Sequence, residues 1–176
     1  ENLYTCKKEE KKISIEPQAL QEKDFVVFGM KACDLQGVKV LDNVFLSDPV
    51  DTFYAARREH GTIVAMACHE PEESCFCKVF GIDCADPAAD VAVWMAEKEL
   101  YWKPLTEKGQ TLTESVKELL ESADQKDEET IEEEKAKIRS IVEKLPYSGL
   151  SLEGWNGDAL TEKFNSTVWE ELYKPC

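Results

Sequence analysis

The chain of 176 residues has few positive charges and no long apolar run. Its formal net charge of -15 argues against binding to nucleic acid or to an anionic membrane, because phosphate contacts need clustered Lys and Arg. No apolar run approaches the roughly 20 residues of a membrane span. The first residues, Glu1 to Tyr4, do not open a signal peptide. We therefore expect a soluble, cytoplasmic protein that binds no nucleic acid and does not insert into a membrane.

Common signatures of catalysis are also missing from the sequence. It contains no glycine fingerprint for phosphate, no nucleophile elbow and no pair of catalytic carboxylates. A single residue separates Cys75 from Cys77, so the Cys-x-x-Cys arrangement of thiol redox enzymes is absent there. The chain by itself is therefore not expected to be a catalyst.

Cysteine is the residue that stands out among those present. The seven cysteines are an odd number and do not resemble the even disulfide framework of a small secreted domain, so a reducing compartment is expected. Cys6 and Cys84 are interpreted as ordinary surface or half-buried thiols. Four of the other five lie in one segment: Cys33, Cys68, Cys75 and Cys77.

Two of these four cysteines directly follow apolar runs typical of buried strands. Phe25 to Phe28 precedes Cys33, and Thr62 to Ala67 precedes Cys68. In an open parallel sheet, the loops that leave the carboxyl ends of the strands meet at one edge. All four thiols are therefore expected to converge. Such a set suits either an iron–sulfur cluster or a structural zinc, because soft sulfur ligands select those metals.

The remaining pattern predicts an α/β fold with a small mixed or mostly parallel sheet, a β-hairpin and a helical C-terminal portion. An amphipathic helix follows Cys33, with Asp34 expected to cap it, and a short helix is expected within Val50 to Arg58. Ala89 to Lys103 alternates in the manner of a hairpin.

Helical patterns dominate the second part of the chain. We divide the sequence into a cysteine-containing α/β domain, residues 1–110, and a helical extension, residues 111–176. Residues 121–143 hold nine acidic side chains against four basic ones, which indicates a solvated helix face, with a docking role as the alternative. A last helix, Asp158 to Lys174, is expected to bury one face against the domain or against a second copy of the chain: Leu160, Phe164, Val168 and Trp169.

The order and spacing of several motifs resemble one known family. The residues that carry the resemblance are Phe28 to Leu35, then Asp51, Tyr54, Arg57, Arg58 and Glu59, then Cys68 to Pro71, Cys75 to Cys77, and Val168 to Cys176. The pattern is similar to that of the iron–sulfur electron-transfer subunits found in soluble sulfhydrogenases, as their beta subunit, and in anaerobic sulfite reductases. This chain has Lys31-Ala32 where the family commonly has Arg-Pro, and Val79 to Ile82 where the family has a Gly-rich turn.

The resemblance implies an electron-transfer subunit of a multisubunit anaerobic oxidoreductase, of the hydrogenase or sulfite reductase type. It implies a [4Fe–4S] cluster held by the four clustered cysteines, and a sequence cut before a ferredoxin-like region of which Cys176 would be the first cysteine. Expected partners are other subunits of a redox complex, namely one that binds flavin or NAD(P) and one of the hydrogenase or sirohaem type. The alternative is a zinc-stapled or metal-free domain that docks partner subunits.

Four polar residues are expected to contribute to binding of the cofactor: Lys31, Asp34, Arg57 and Arg58. The two adjacent arginines are unusual in so acidic a chain. They either pair with a neighbouring carboxylate or neutralise an anionic cofactor. The expectation for Lys31 rests on its proximity to Cys33 in the sequence and on the resemblance.

Overall fold

A four-stranded sheet with the strand order β3-β4-β5-β6 forms the centre of the computed structural model, which describes residues 2–96 and 98–174. Strands β3, β4 and β5 run parallel, and β6 pairs antiparallel with β5. A separate antiparallel pair, β1 and β2, precedes this sheet. The strands are β1 (Tyr4–Glu9), β2 (Lys12–Pro17), β3 (Phe25–Met30), β4 (Gly61–Met66), β5 (Val91–Ala96) and β6 (Glu99–Pro104).

Two of the described helices connect β3 to β4, and the other four lie after β6. In the described part of the chain they are α1 (Ala32–Phe45), α2 (Thr52–His60), α3 (Glu107–Ser115), α4 (Gln125–Val142), α5 (Gly157–Phe164) and α6 (Val168–Leu172). The predicted α/β class, with its mostly parallel sheet and helical C-terminal portion, is confirmed. None of these described helices has the length and apolar content required to cross a membrane.

The core lies on both faces of strand β4. Ile63 and Ala65 point to one face and pack with Leu35 of α1, whereas Val64 points to the other face with Leu112 of α3. A parallel strand covered on both sides needs apolar residues at successive positions, because both of its faces are removed from water. This requirement explains why the β4 sequence is a continuous apolar run and does not alternate.

Asp90, immediately before β5, connects β5 to β4 and to the segment that leads into α3, at the amino end of the sheet. Its carboxylate accepts hydrogen bonds from the Ile63 amide at 2.8 Å and from the Thr106 hydroxyl at 2.7 Å. Its backbone oxygen accepts from the Leu105 amide at 2.8 Å. Helix α3 packs directly over this joint at Gly109, where an added Cβ would lie 2.0 Å from the Asp90 oxygen.

Two helices begin earlier than the sequence indicated. Lys31, not Asp34, is the residue before α1, and the Asp34 carboxylate accepts a hydrogen bond from the Lys31 amide at 3.2 Å. Helix α3 starts after Thr106, whose hydroxyl accepts from the Gly109 amide at 3.2 Å. The division drawn at residue 110 therefore falls inside α3, which contacts β4 and β6.

The expected helix from Asp158 to Lys174 is wrong in two respects. It is divided into α5 and α6, because α5 ends at Phe164 and the next helix begins at Val168. The side chains expected to be buried are exposed: Leu160, Phe164, Val168 and Trp169. The Trp169 indole donates locally to the Lys163 carbonyl at 2.7 Å, so its polar atom is satisfied within this segment.

Replacing Gly109 with Ala is expected to lower the free energy of unfolding by about 1–3 kcal/mol, because the new methyl group overlaps a backbone oxygen that cannot easily move. Gly37→Ala in α1 is the matched control. No atom lies within 4 Å of a Cβ added there, so helix propensity should raise stability by about 1 kcal/mol. Urea unfolding followed by circular dichroism measures both changes, and equal stability of the two variants would contradict this packing.

Candidate metal centre

Cys33 lies in the first turn of α1, directly after the carboxyl end of β3. Gly29 adopts a positive φ of 85° where the pairing register of β3 with β4 shifts, and the chain then turns into the helix. Cys33 is exposed there. The amino end of a helix carries partial positive charge, which favours a thiolate or an anionic cofactor. The predicted position of Cys33 at a strand-to-helix junction is confirmed.

Cys68 follows the neighbouring parallel strand, β4, and is half-buried. Because β3 and β4 are parallel, the segments carrying Cys33 and Cys68 leave the sheet at the same edge. The Lys31 ammonium group donates to the Ala67 carbonyl at 3.4 Å and so connects the two strand ends. Lys31 therefore lies beside this edge, as its sequence position led us to expect.

Cys75 and Cys77 belong to the loop after Cys68, and both are half-buried. The Glu72 amide donates to the Cys75 sulfur at 3.3 Å. A short 3₁₀ helix begins at Cys77 and is closed by Gly81, which adopts a positive φ of 65°. This local structure was not predicted from the sequence.

The ionisation of Cys77 depends on burial and on the other thiols. Burial raises the pKa of Cys77, and negative charge on Cys33, Cys75 and Cys68 raises that pKa further. The parallel pairing of β3 with β4 places Cys33 and the segment that begins at Cys68 at one edge of the sheet. The role of the four cysteines as metal ligands stays a prediction.

The pKa of Cys68 is lowered, and the largest cause is a hydrogen bond from the Cys84 thiol. Burial opposes this shift, whereas the Glu70 amide and the charge of Lys31 support it. The pKa of Cys84 is raised by the same hydrogen bond and by burial.

Cys84 is the residue that the sequence interpretation missed. It is buried and packs with Ala85 and Ile138, and the half-buried Cys68 and Cys77 lie against this cluster. The Cys68 amide also donates to the Cys84 carbonyl at 2.8 Å. Nothing in the spacing of Cys84 distinguished it from an ordinary thiol, because its contact with Cys68 is made between two separate parts of the chain.

Helix α4 holds the loop around Cys84 in place. Arg139 pairs with Asp83 at 2.6 Å, and the buried Lys135 pairs with Asp86 at 3.2 Å while lying over the Trp94 ring. The acidic segment is therefore solvated on one side and attached to this loop on the other. The sequence signal for this attachment was the pair of basic residues Lys135 and Arg139. They are four residues apart in an acidic helix and therefore lie on the same face of it.

A site for a single metal ion is not formed by the residues that the structure describes. Within residues 2–96 and 98–174, no three His, Cys, Asp or Glu side chains are grouped closely enough to hold one ion. Cys176, the fifth predicted metal ligand, lies outside the described residues.

Arg57 and Arg58 lie toward the opposite, amino edge of the sheet. Arg57 is placed over the ring of Phe25, the first residue of β3, with 3.8 Å to the ring centroid. Arg58 pairs with Asp42 at 3.0 Å. Burial of Asp42 opposes its ionisation, but hydrogen bonds from Tyr54 and Arg58 outweigh burial and lower its pKa. The structure does not bring these arginines to the cysteines, and their cofactor role stays a prediction without support from these contacts.

Replacing Arg58 with Met is expected to lower the free energy of unfolding by about 1 kcal/mol, since the ion pair with Asp42 is partly exposed. A double-mutant cycle with Asp42→Asn, followed by urea unfolding, isolates the coupling between the two side chains. Iron bound after anaerobic reconstitution should not change in Arg58→Met. Loss of iron at unchanged stability would instead support the cofactor role.

No protein-family model matches this chain, and no solved structure matches it. The chain is similar to a protein of Pyrococcus furiosus named sulfhydrogenase 2 subunit beta, with 30% identity over 153 residues. These residues are 86% of this chain and 44% of the relative, so the chain spans less than half the length of that protein. The similarity supports the resemblance to hydrogenase beta subunits that the cysteine motifs carry, and it lends no support to the sulfite reductase type.

Proposed function

We propose that this chain is an electron-transfer module of a hydrogenase-type multisubunit oxidoreductase, with an iron–sulfur cluster held by Cys33, Cys68, Cys75 and Cys77. The observation that carries the proposal is the parallel pairing of β3 with β4, by which the segment of Cys33 and the segment that begins at Cys68 leave the sheet at one edge. A [4Fe–4S] cluster bound there would accept and pass on single electrons. The chain itself would supply ligands, hydrogen bonds and a surface for its partners.

A backbone amide beside one of the thiols fits an anionic sulfur-rich group. The Glu72 amide donates to the Cys75 sulfur at 3.3 Å. Such donors stabilise thiolates and the sulfur ligands of clusters, and they adjust the reduction potential.

The charges at the site also favour a bound metal group. Burial raises the pKa of Cys77, and repulsion from the neighbouring thiolates raises that pKa further. Lys31 and the amino end of α1 supply only part of the opposing charge. A bound metal group with positive charge would supply the rest and would deprotonate its thiol ligands.

A single zinc ion is the alternative occupant of four cysteines, because zinc also takes four thiolate ligands. In a [4Fe–4S] cluster each cysteine would bind a different iron. Metal analysis of the purified protein distinguishes the cluster from the zinc-stapled docking domain.

Assembly with other subunits follows from the similarity to sulfhydrogenase 2 subunit beta. We propose that one partner carries the hydrogenase site and that another binds flavin or NAD(P). A single cluster needs one partner that donates electrons to it and another that accepts them. The sequence contains no fingerprint for a cofactor that could take either role.

Replacing any one of the four cysteines with Ala should lower iron and acid-labile sulfide together, because a cubane that lacks one thiolate is open to solvent and oxidation. The measurement is iron and sulfide per protein after anaerobic reconstitution. The unaltered chain should be brown and should bleach on reduction with dithionite. Cys6→Ala, on the exposed strand β1, is the control and should load as much iron as the unaltered chain.

Two outcomes would contradict the proposal. Iron and sulfide contents that are equal in the unaltered chain and in all four variants would mean that these cysteines are not the ligands. A colourless protein that binds one zinc ion tightly would favour the structural docking domain. Circular dichroism of each variant before reconstitution separates loss of metal from loss of fold.

A further inference from the structure

Two phenylalanines of the cysteine loop face solvent beside the proposed ligands. Phe76 lies between Cys75 and Cys77 in the sequence, and Phe80 is the last residue of the short 3₁₀ helix that begins at Cys77. Their rings pack edge to face with 5.6 Å between the centroids, yet the two residues are 56% and 54% exposed. Exposed aromatic side chains that lie together are typical of surfaces that bind another protein. We call these two residues the aromatic pair.

The loop that carries the aromatic pair has an inner and an outer face. On the inner face Cys68 and Cys77 pack against a buried cluster, which consists of Cys84, Ala85 and Ile138. The aromatic pair is not part of that cluster and remains exposed on the outer face. A protein that approaches the proposed centre from the solvent side of this loop therefore contacts the aromatic pair.

Local contacts hold the aromatic pair in position. The Val79 amide donates to the Phe76 carbonyl at 3.0 Å, within the turn that joins the two rings. The Lys78 ammonium group pairs with the carboxylate of Glu143, the residue that follows α4. Binding to a surface that is already held costs less conformational entropy than binding to a loop that must first become ordered.

The charge around the aromatic pair is negative. Glu70, Glu72 and Glu73 are exposed, and none of these carboxylates forms an ion pair with another residue of the described part of the chain. Lys78, the single lysine within residues 68–80, is already neutralised by Glu143. A surface of lysines and arginines around an apolar pocket would complement both the charge and the apolar rings.

We infer that the aromatic pair is the docking surface for a basic protein that exchanges electrons with the proposed cluster. This inference rests on the proposed function. One electron passes at each encounter, so the cluster is oxidised by one electron while the centre of the partner is reduced by one, or the reverse. Electron transfer slows steeply with distance, and the aromatic pair adjoins two of the four proposed ligands, Cys75 and Cys77.

The test uses ferric cytochrome c as the probe, a basic one-electron protein with an exposed haem edge. Titration calorimetry with the oxidised chain at low salt measures the dissociation constant. Stopped-flow absorption measures reduction of the probe by the reduced chain after excess dithionite has been removed. Phe76→Ser and Phe80→Ser should each weaken binding and slow electron transfer about tenfold. Phe164→Ser, which alters a 79% exposed phenylalanine of α5, is the control and should change neither.

Two double variants test the contribution of charge. Glu72→Gln combined with Glu73→Gln should weaken binding about threefold and reduce its dependence on salt, because two charges that attract the probe are removed. Glu128→Gln combined with Glu133→Gln removes the same charge from exposed positions of α4. This control should have a much smaller effect, because salt screens charges that lie away from the contact.

Four outcomes would overturn the inference alone. The first is unchanged binding and unchanged rates in both Phe76→Ser and Phe80→Ser. The second is loss of iron and sulfide in both variants, which would make the aromatic pair a support of the metal centre. The third is an equal effect of the two glutamate double variants, since the probe would then respond only to net charge. The fourth is a dimer that becomes a monomer in Phe76→Ser, which would assign the surface to a second copy of the chain.

The iron content of the unaltered chain separates these results from failure of the proposed function. An unaltered chain that binds no iron after reconstitution would overturn the proposed function and the inference with it. Phe80 lies outside the Cys-x-Cys sequence, so Phe80→Ser decides the matter if Phe76→Ser fails to fold.

Discussion

Parallel pairing of β3 with β4 is the constraint on which the candidate site depends. Phe25 pairs with Gly61 and Phe28 with Val64, so both strands end at one edge and release their loops there. Cys33 and Cys68 are 35 residues apart in sequence, and this pairing alone brings their segments together. The buried faces of β4 fix the register, because a shift by one residue would exchange the side chains packed on α1 and α3.

A second layer of contacts holds the loop that follows Cys68. The segment around Cys84 is attached to α4 through two ion pairs. It is attached to β5 through the Trp94 indole, which donates to the Ala85 carbonyl at 2.8 Å. Each ion pair alone contributes little where it is exposed to water. Their effect here is geometric, because together with the buried Ile138 they fix where the Cys84 carbonyl and thiol meet Cys68.

The sequence was informative wherever the signal is local or follows from topology. Apolar runs located β3 and β4, alternation located the β5–β6 hairpin, and the parallel arrangement predicted that Cys33 and Cys68 share one edge. Contacts made across distant segments could not be predicted in this way. The pairing of Cys84 with Cys68 and of Arg58 with Asp42 depends on how loops and helices are placed, which periodicity does not encode. The prediction of a buried C-terminal helix was wrong for a related reason. An amphipathic pattern shows that a helix has an apolar face, but it does not determine what covers that face.

Groups that act at short range oppose the net charge of the chain at the proposed centre. The net charge of -15 disfavours adding an electron to a cluster, but much of that charge is carried by exposed side chains, whose effect salt screens beyond roughly 10 Å. The Glu72 amide, Lys31 and the first turn of α1 lie beside the proposed ligands and favour the electron. The reduction potential of the proposed centre would therefore follow its nearest hydrogen bonds more closely than the charge of the whole protein.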